Sequence, residues 1–87
     1  MKIVILLMDR GWVKVGYLSD AEERPFHYKL TNCRVIRRWG TTKGLAELKK
    51  GPTDATVLEE LHDSEVPWRA VLDIIEVEQD KWTRHLS

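Results

Sequence analysis

The apolar positions of this chain fall into short runs of two kinds, continuous and alternating. Lys2-Ile3-Val4-Ile5-Leu6-Leu7-Met8 is apolar without alternation, the pattern of a strand buried on both faces: central in a sheet, or an edge covered by a partner. Asp9-Arg10-Gly11 then offers a tight turn with glycine where positive φ is needed, which predicts a hairpin. Its second arm, Trp12–Leu18, is rich in β-branched and aromatic residues, and Gly16 inside it predicts a bulge or a close backbone approach.

After the charged loop Ser19–Pro25 the pattern changes to strict alternation. Phe26, Tyr28 and Leu30 point one way and His27 and Lys29 the other, as in a half-exposed strand. Thr31-Asn32 reads as a two-residue break before a further strand, Cys33–Trp39, paired antiparallel to it. Within Cys33–Trp39 neither face is consistent, because Arg37 shares a face with Cys33, Val35 and Trp39 while Ile36 lies between Arg34 and Arg38; a bulge near Arg37 or a paired buried charge resolves the conflict.

Gly40–Lys43 leads into Gly44–Lys50, where Leu45 and Leu48 share a helical face, Thr42 is the expected N-cap, and Gly51-Pro52 ends about two turns of helix. Thr56–Leu61 reads as a short strand, His62–Glu65 as a polar loop, Val66–Ala70 as a bend entered at Pro67, and Val71–Val77 as the last strand. Together these predict a mainly β (α+β) domain: a small antiparallel SH3-like barrel or sheet of five to six strands with one short helix. Residues 1–78 form the domain, and 79–87, polar apart from Trp82 and Leu86, are a frayed tail or a short docking helix.

Composition narrows the function classes. A chain of 87 residues with 43% hydrophobic residues and four Trp is one folded domain, small enough to gain from a partner, so a homo-oligomer is expected. The single cysteine, Cys33, excludes a disulfide scaffold and points to the cytoplasm, and the six-residue apolar run Ile3–Met8 is too short for a membrane span. The net charge of zero hides an asymmetry: residues 1–43 hold nine Lys/Arg against four Asp/Glu, and the remainder five against ten. That places a basic surface on the first half, unless folding intermixes the charges.

The chemistry concentrates between Leu30 and Gly51. Arg37 and Arg38 offer guanidinium forks for phosphate, Trp39 or Trp12 a face on which a base can stack, and Thr41, Thr42 and Lys43 hydroxyl and N–H donors at a helix start. The bland alternative is a core Trp39 beside a solvated arginine pair. Arg10, Lys14, Lys29 and Arg34 extend the basic surface, yet the overall neutrality disfavours broad duplex binding relative to a compact anionic ligand. Trp12, Trp68 and Trp82 are candidate protein-contact anchors. No enzyme, cofactor or metal site is predicted: Cys33 stands inside a strand without a local partner, and Glu59, Glu60, His62 and Asp63 alternate in direction along an extended chain.

The pattern Leu30-Thr31-Asn32-Cys33-Arg34, Ile36-x-x-Trp39, Gly44-Leu45-x-x-Leu48, Gly51 and Val71-x-x-Ile74-Ile75 resembles a family of small phage and prophage proteins of unknown function. The resemblance implies a virus-encoded protein, acting in the cytoplasm of an infected bacterial host, with a small β fold and no active site to transfer. The functional expectation is a non-enzymatic binding protein that counters host defence by sequestering a nucleotide signal or blocking a defence protein. The alternatives are a nucleic-acid-binding accessory, and an assembly module that uses the apolar first strand as its interface.

Overall fold

A computed structural model describes residues 1–87. Six strands, β1 (Lys2–Met8), β2 (Val13–Asp20), β3 (His27–Arg38), β4 (Val57–Leu58), β5 (His62–Pro67) and β6 (Val71–Glu76), form one antiparallel sheet. The order is β4-β3-β2-β1-β6, with β5 beside β4 along the same edge of β3. This is the mainly β domain expected. Its one α-helix, α1 (Gln79–Trp82), lies in the tail, whereas Leu45–Lys50 is a 3₁₀ segment whose two turns fit the glycines at either end.

The apolar β1 is central, flanked by β2 and β6, and Ile3, Val4, Ile5 and Leu6 are all buried. It therefore cannot serve as an assembly interface. Its alternate residues feed two cores. Ile3 and Ile5 join Val13, Val15, Ile36, Leu48, Val77, Trp82 and Leu86 on one face, and Val4 and Leu6 join Leu30, Cys33 and Val66 on the other. The segment after residue 78 seals the first core: the Trp82 indole N–H donates to the Leu48 carbonyl at 2.8 Å, and the Gln79 side-chain amide pairs with both the N–H and the C=O of Ile3. Burying an indole removes roughly 4–6 kcal/mol of apolar surface from water before entropy is counted, so Trp82 is a core residue and not the surface anchor expected.

Phe26–Leu30 and Cys33–Trp39 are not two paired strands but parts of one, β3, with the chain continuing through Asn32. Asn32 has φ 49 and sits in a bulge opposite Gly16; an asparagine tolerates this left-handed geometry, so a turn signal becomes a kink within a strand. A Cβ on Gly16 would lie 2.6 Å from the Cys33 Cβ, which is the close approach that the glycine predicts. His62–Glu65, expected as loop, is the start of β5. It pairs with β3 through the same bulge, and its Asp63 carboxylate accepts the Asn32 N–H at 3.0 Å. Thr56–Leu61 shrinks to the two-residue β4.

Candidate ligand-binding site

A second register shift in β3, between Ile36 and Arg38, places Arg37 in a bulge and turns Arg37 and Arg38 outward while Val35 and Ile36 stay buried. This is the resolution the mixed faces called for. Beyond it the backbone is braced. Gly40, at φ 68, packs against the Ala55–Thr56 peptide, so closely that a Cβ would come within 2.4 Å. The Thr53 hydroxyl donates to the Gly40 carbonyl at 2.6 Å and the Thr56 hydroxyl to the Trp39 carbonyl at 2.7 Å. Trp39 is thereby held at the surface, 41% exposed, and is not a core residue.

The expected site divides. Trp12 and Arg37 meet, with Arg10, Val35 and Glu59, around an open depression of about 370 Å³. Arg10 enters it from a left-handed backbone (φ 60), an unfavourable conformation for arginine that aims its side chain beside the half-exposed Trp12. The Arg37 Nε lies 3.5 Å from a Glu59 carboxylate oxygen, in an exposed pair that an incoming anion could displace. Arg38, Trp39, Thr41, Thr42 and Lys43 lie outside this depression.

The helix start does not offer the expected donors. Thr42 is not the N-cap, a position held by Gly44 at φ 106, and the backbone N–H groups of Thr42 and Lys43 both donate to Glu47 Oε2, at 3.1 and 3.0 Å. A carboxylate of the chain itself thus occupies the place an anion would take.

The wider basic surface is also interrupted. Arg34 turns inward: its Nε donates to the Glu59 carbonyl at 2.6 Å, Nη1 to His85 at 3.1 Å and Nη2 to Leu58 at 3.5 Å, so it joins β4 to the end of the tail. Lys14 donates to the Ser64 hydroxyl at 3.0 Å across β3. Burial, then Arg84 and Arg34, hold the His85 imidazole below its ordinary pKa of 6.5. Cys33 is fully buried, 3.4 Å from His62 Nε2, and burial pushes its thiol up, away from the reactive thiolate. Glu59, His62 and Asp63 each face a different partner, respectively Arg37, Cys33 and the Asn32 N–H.

Sequence reading missed two features. Lys50, Lys81, Arg84 and His85 surround a small polar depression of about 250 Å³ with Asp80 on its rim; their separation in sequence hid the cluster. Phe26, Tyr28 and Trp68 form an aromatic group at the far end of β3, with Trp68 5.4 Å from Phe26 and 5.8 Å from Tyr28. No helix is long and apolar enough to cross a membrane. No protein-family model, no curated protein and no solved structure matches the chain.

Proposed function

We propose that this chain is a non-enzymatic binding protein that takes an anionic nucleotide in the depression between Arg10, Trp12 and Arg37. The observation that carries the reading is the exposed Trp12 indole, 54% accessible, set between two outward guanidiniums, one of them presented from a left-handed backbone. Bidentate N–H donors match phosphate oxygens and the indole offers a stacking face, which together recognise a phosphate joined to a base. Arg37 exchanges Glu59 for the ligand. Binding alone then sequesters the nucleotide, with no bond made or broken, which in a virus-encoded protein would counter a host defence that signals through it.

Calorimetry against a panel of mononucleotides, dinucleotides and cyclic nucleotides tests it. A responding nucleotide loses about 1–3 kcal/mol of binding free energy on Trp12→Ala or Arg37→Ala. Arg10→Gly weakens binding while raising stability by about 0.5–1 kcal/mol, because glycine accepts the positive φ without penalty. Silence across the panel from a folded protein overturns the reading.

A second reading has its own observation. β6 pairs only with β1, and on it Leu72 is 66% and Ile74 39% exposed, so this edge, unlike the apolar β1, is open to self-assembly. Concentration-dependent mass without added ligand, abolished by Ile74→Lys, supports it.

A further inference from the structure

The other end of β3 carries a feature that the nucleotide reading does not use. Phe26 immediately precedes the strand at φ 60, in the left-handed region that a bulky side chain ordinarily avoids. It is held there by the Trp68 backbone N–H, which donates to the Phe26 carbonyl at 2.9 Å, and by the pairing of His27 with Pro67. The ring gains no burial in return, for it remains 70% exposed, and Trp68, set edge-to-face against it at 5.4 Å, is 45% exposed. Strained backbone that leaves most of an apolar ring in water, with one edge-to-face contact as its return, points to a contact surface.

The two rings border an open groove of about 560 Å³ lined by Pro25, Phe26, His27, Pro67, Trp68 and Arg69. Two of its three polar side chains, Trp68 and Arg69, are donors only. His27 Nδ1 is engaged with the Pro25 carbonyl at 2.8 Å, whereas the Trp68 indole N–H and the Arg69 guanidinium are free. No carboxylate lines the groove, and Arg69 is its one permanent charge. The matching ligand brings apolar rings and carbonyl acceptors, buries no N–H of its own, and carries an acidic residue. A polyproline II segment meets these terms: proline has no N–H, its carbonyls stay exposed, and the segment is ordered before it binds. A second copy does not meet them, since facing grooves would set Arg69 against Arg69 and donor against donor.

We infer that the Phe26–Trp68 groove docks an extended, proline-containing peptide segment bearing a carboxylate that pairs with Arg69.

The full-length protein, labelled with ¹⁵N, is titrated with synthetic oligoproline peptides carrying two aspartates at either end, with uncharged oligoproline, and with a glycine-serine peptide carrying the same aspartates. The Trp68 indole N–H resonance is expected to shift saturably with the proline peptides. Phe26→Gly is expected to weaken binding about tenfold or more while leaving the melting temperature unchanged or raised, since glycine relieves the positive φ. Trp68→Leu provides a second folded variant with the same loss. Arg69→Gln is expected to cost about three- to tenfold for the aspartate peptides and nothing for uncharged oligoproline. The inference is overturned if the glycine-serine peptide binds equally well, if the Trp68 resonance ignores millimolar proline peptide, or if sedimentation reveals a dimer that Phe26→Gly dissolves.

Discussion

At one end of β3 the chain displays Arg37, Arg38 and Trp39; at the other, beyond His27, it displays Phe26 and Trp68. The arginine end is rich in groups that the fold itself consumes. Arg34 holds three carbonyls, Arg37 sits by Glu59, and the N–H groups of Thr42 and Lys43 are taken by Glu47. The aromatic end is poor in charge, yet its rings are left uncovered. Exposed charge is the ordinary state of a protein surface, whereas a large apolar ring raised into water by an unfavourable φ asks for a reason. A charged motif is therefore the easier feature to see and the weaker sign of a site until its partners are counted.

Three perturbations test how separate the two ends are. The largest effect is expected from Gly16→Val. The new side chain meets Cys33 at the bulge that lies between the ends, and should cost roughly 3 kcal/mol or prevent folding, read by urea denaturation. Both ends should fail together; survival of either would mean that the bulge does not set their geometry. Arg34→Met should act on the arginine end alone. It leaves the Glu59, His85 and Leu58 carbonyls unpaired at a cost of about 1–3 kcal/mol in chemical denaturation, against less than about 0.5 for Arg38→Ala, with the Phe26 and Trp68 resonances unmoved.

The smallest effect follows from His85. Its folded pKa lies below 6.5, so the unfolded chain takes up the proton first as pH falls. The stability it contributes is complete above the unfolded pKa and declines as pH drops below about 6.5, until the folded imidazole also protonates. Melting temperature should fall between pH 7.5 and 5.5 by less in His85→Gln than in the parent. Because Arg34 supplies part of the depression, Arg34→Met should blunt the same difference.

Where apolar pattern and glycine geometry decide structure, the chain was readable. The unbroken Ile3–Leu6 run became the central strand, Gly16 became the close approach, and the mixed faces of Cys33–Trp39 became a bulge at Arg37. β5 was not readable, since of the three residues on its inward face, His62, Ser64 and Val66, two are polar, which leaves no hydrophobic alternation. Asn32 carried a turn signal that the flanking strands β2 and β5 overrode by pairing on both sides of it. The candidate site failed differently. Arg34, Arg37 and Arg38 are chemically alike, and what separates them is the carbonyls of Leu58, Glu59 and His85, which tertiary structure alone brings within reach. Phe26 fitted an alternating strand by residue type, and its positive φ arises from the contact with Trp68, far along the chain.

The tail sealing the first core also governs when the protein can fold during synthesis. Ile3 and Ile5 leave the ribosome well before the residues that cover them, Trp82 and Leu86, and before β6, their neighbour in the sheet. The first strand can pair with β2 at once, but its other edge and the face that Trp82 and Leu86 cover stay open until those later residues emerge. Native structure forms by closing the longest loops the chain possesses, an arrangement that slows folding and exposes the nascent protein to aggregation and to chaperone capture.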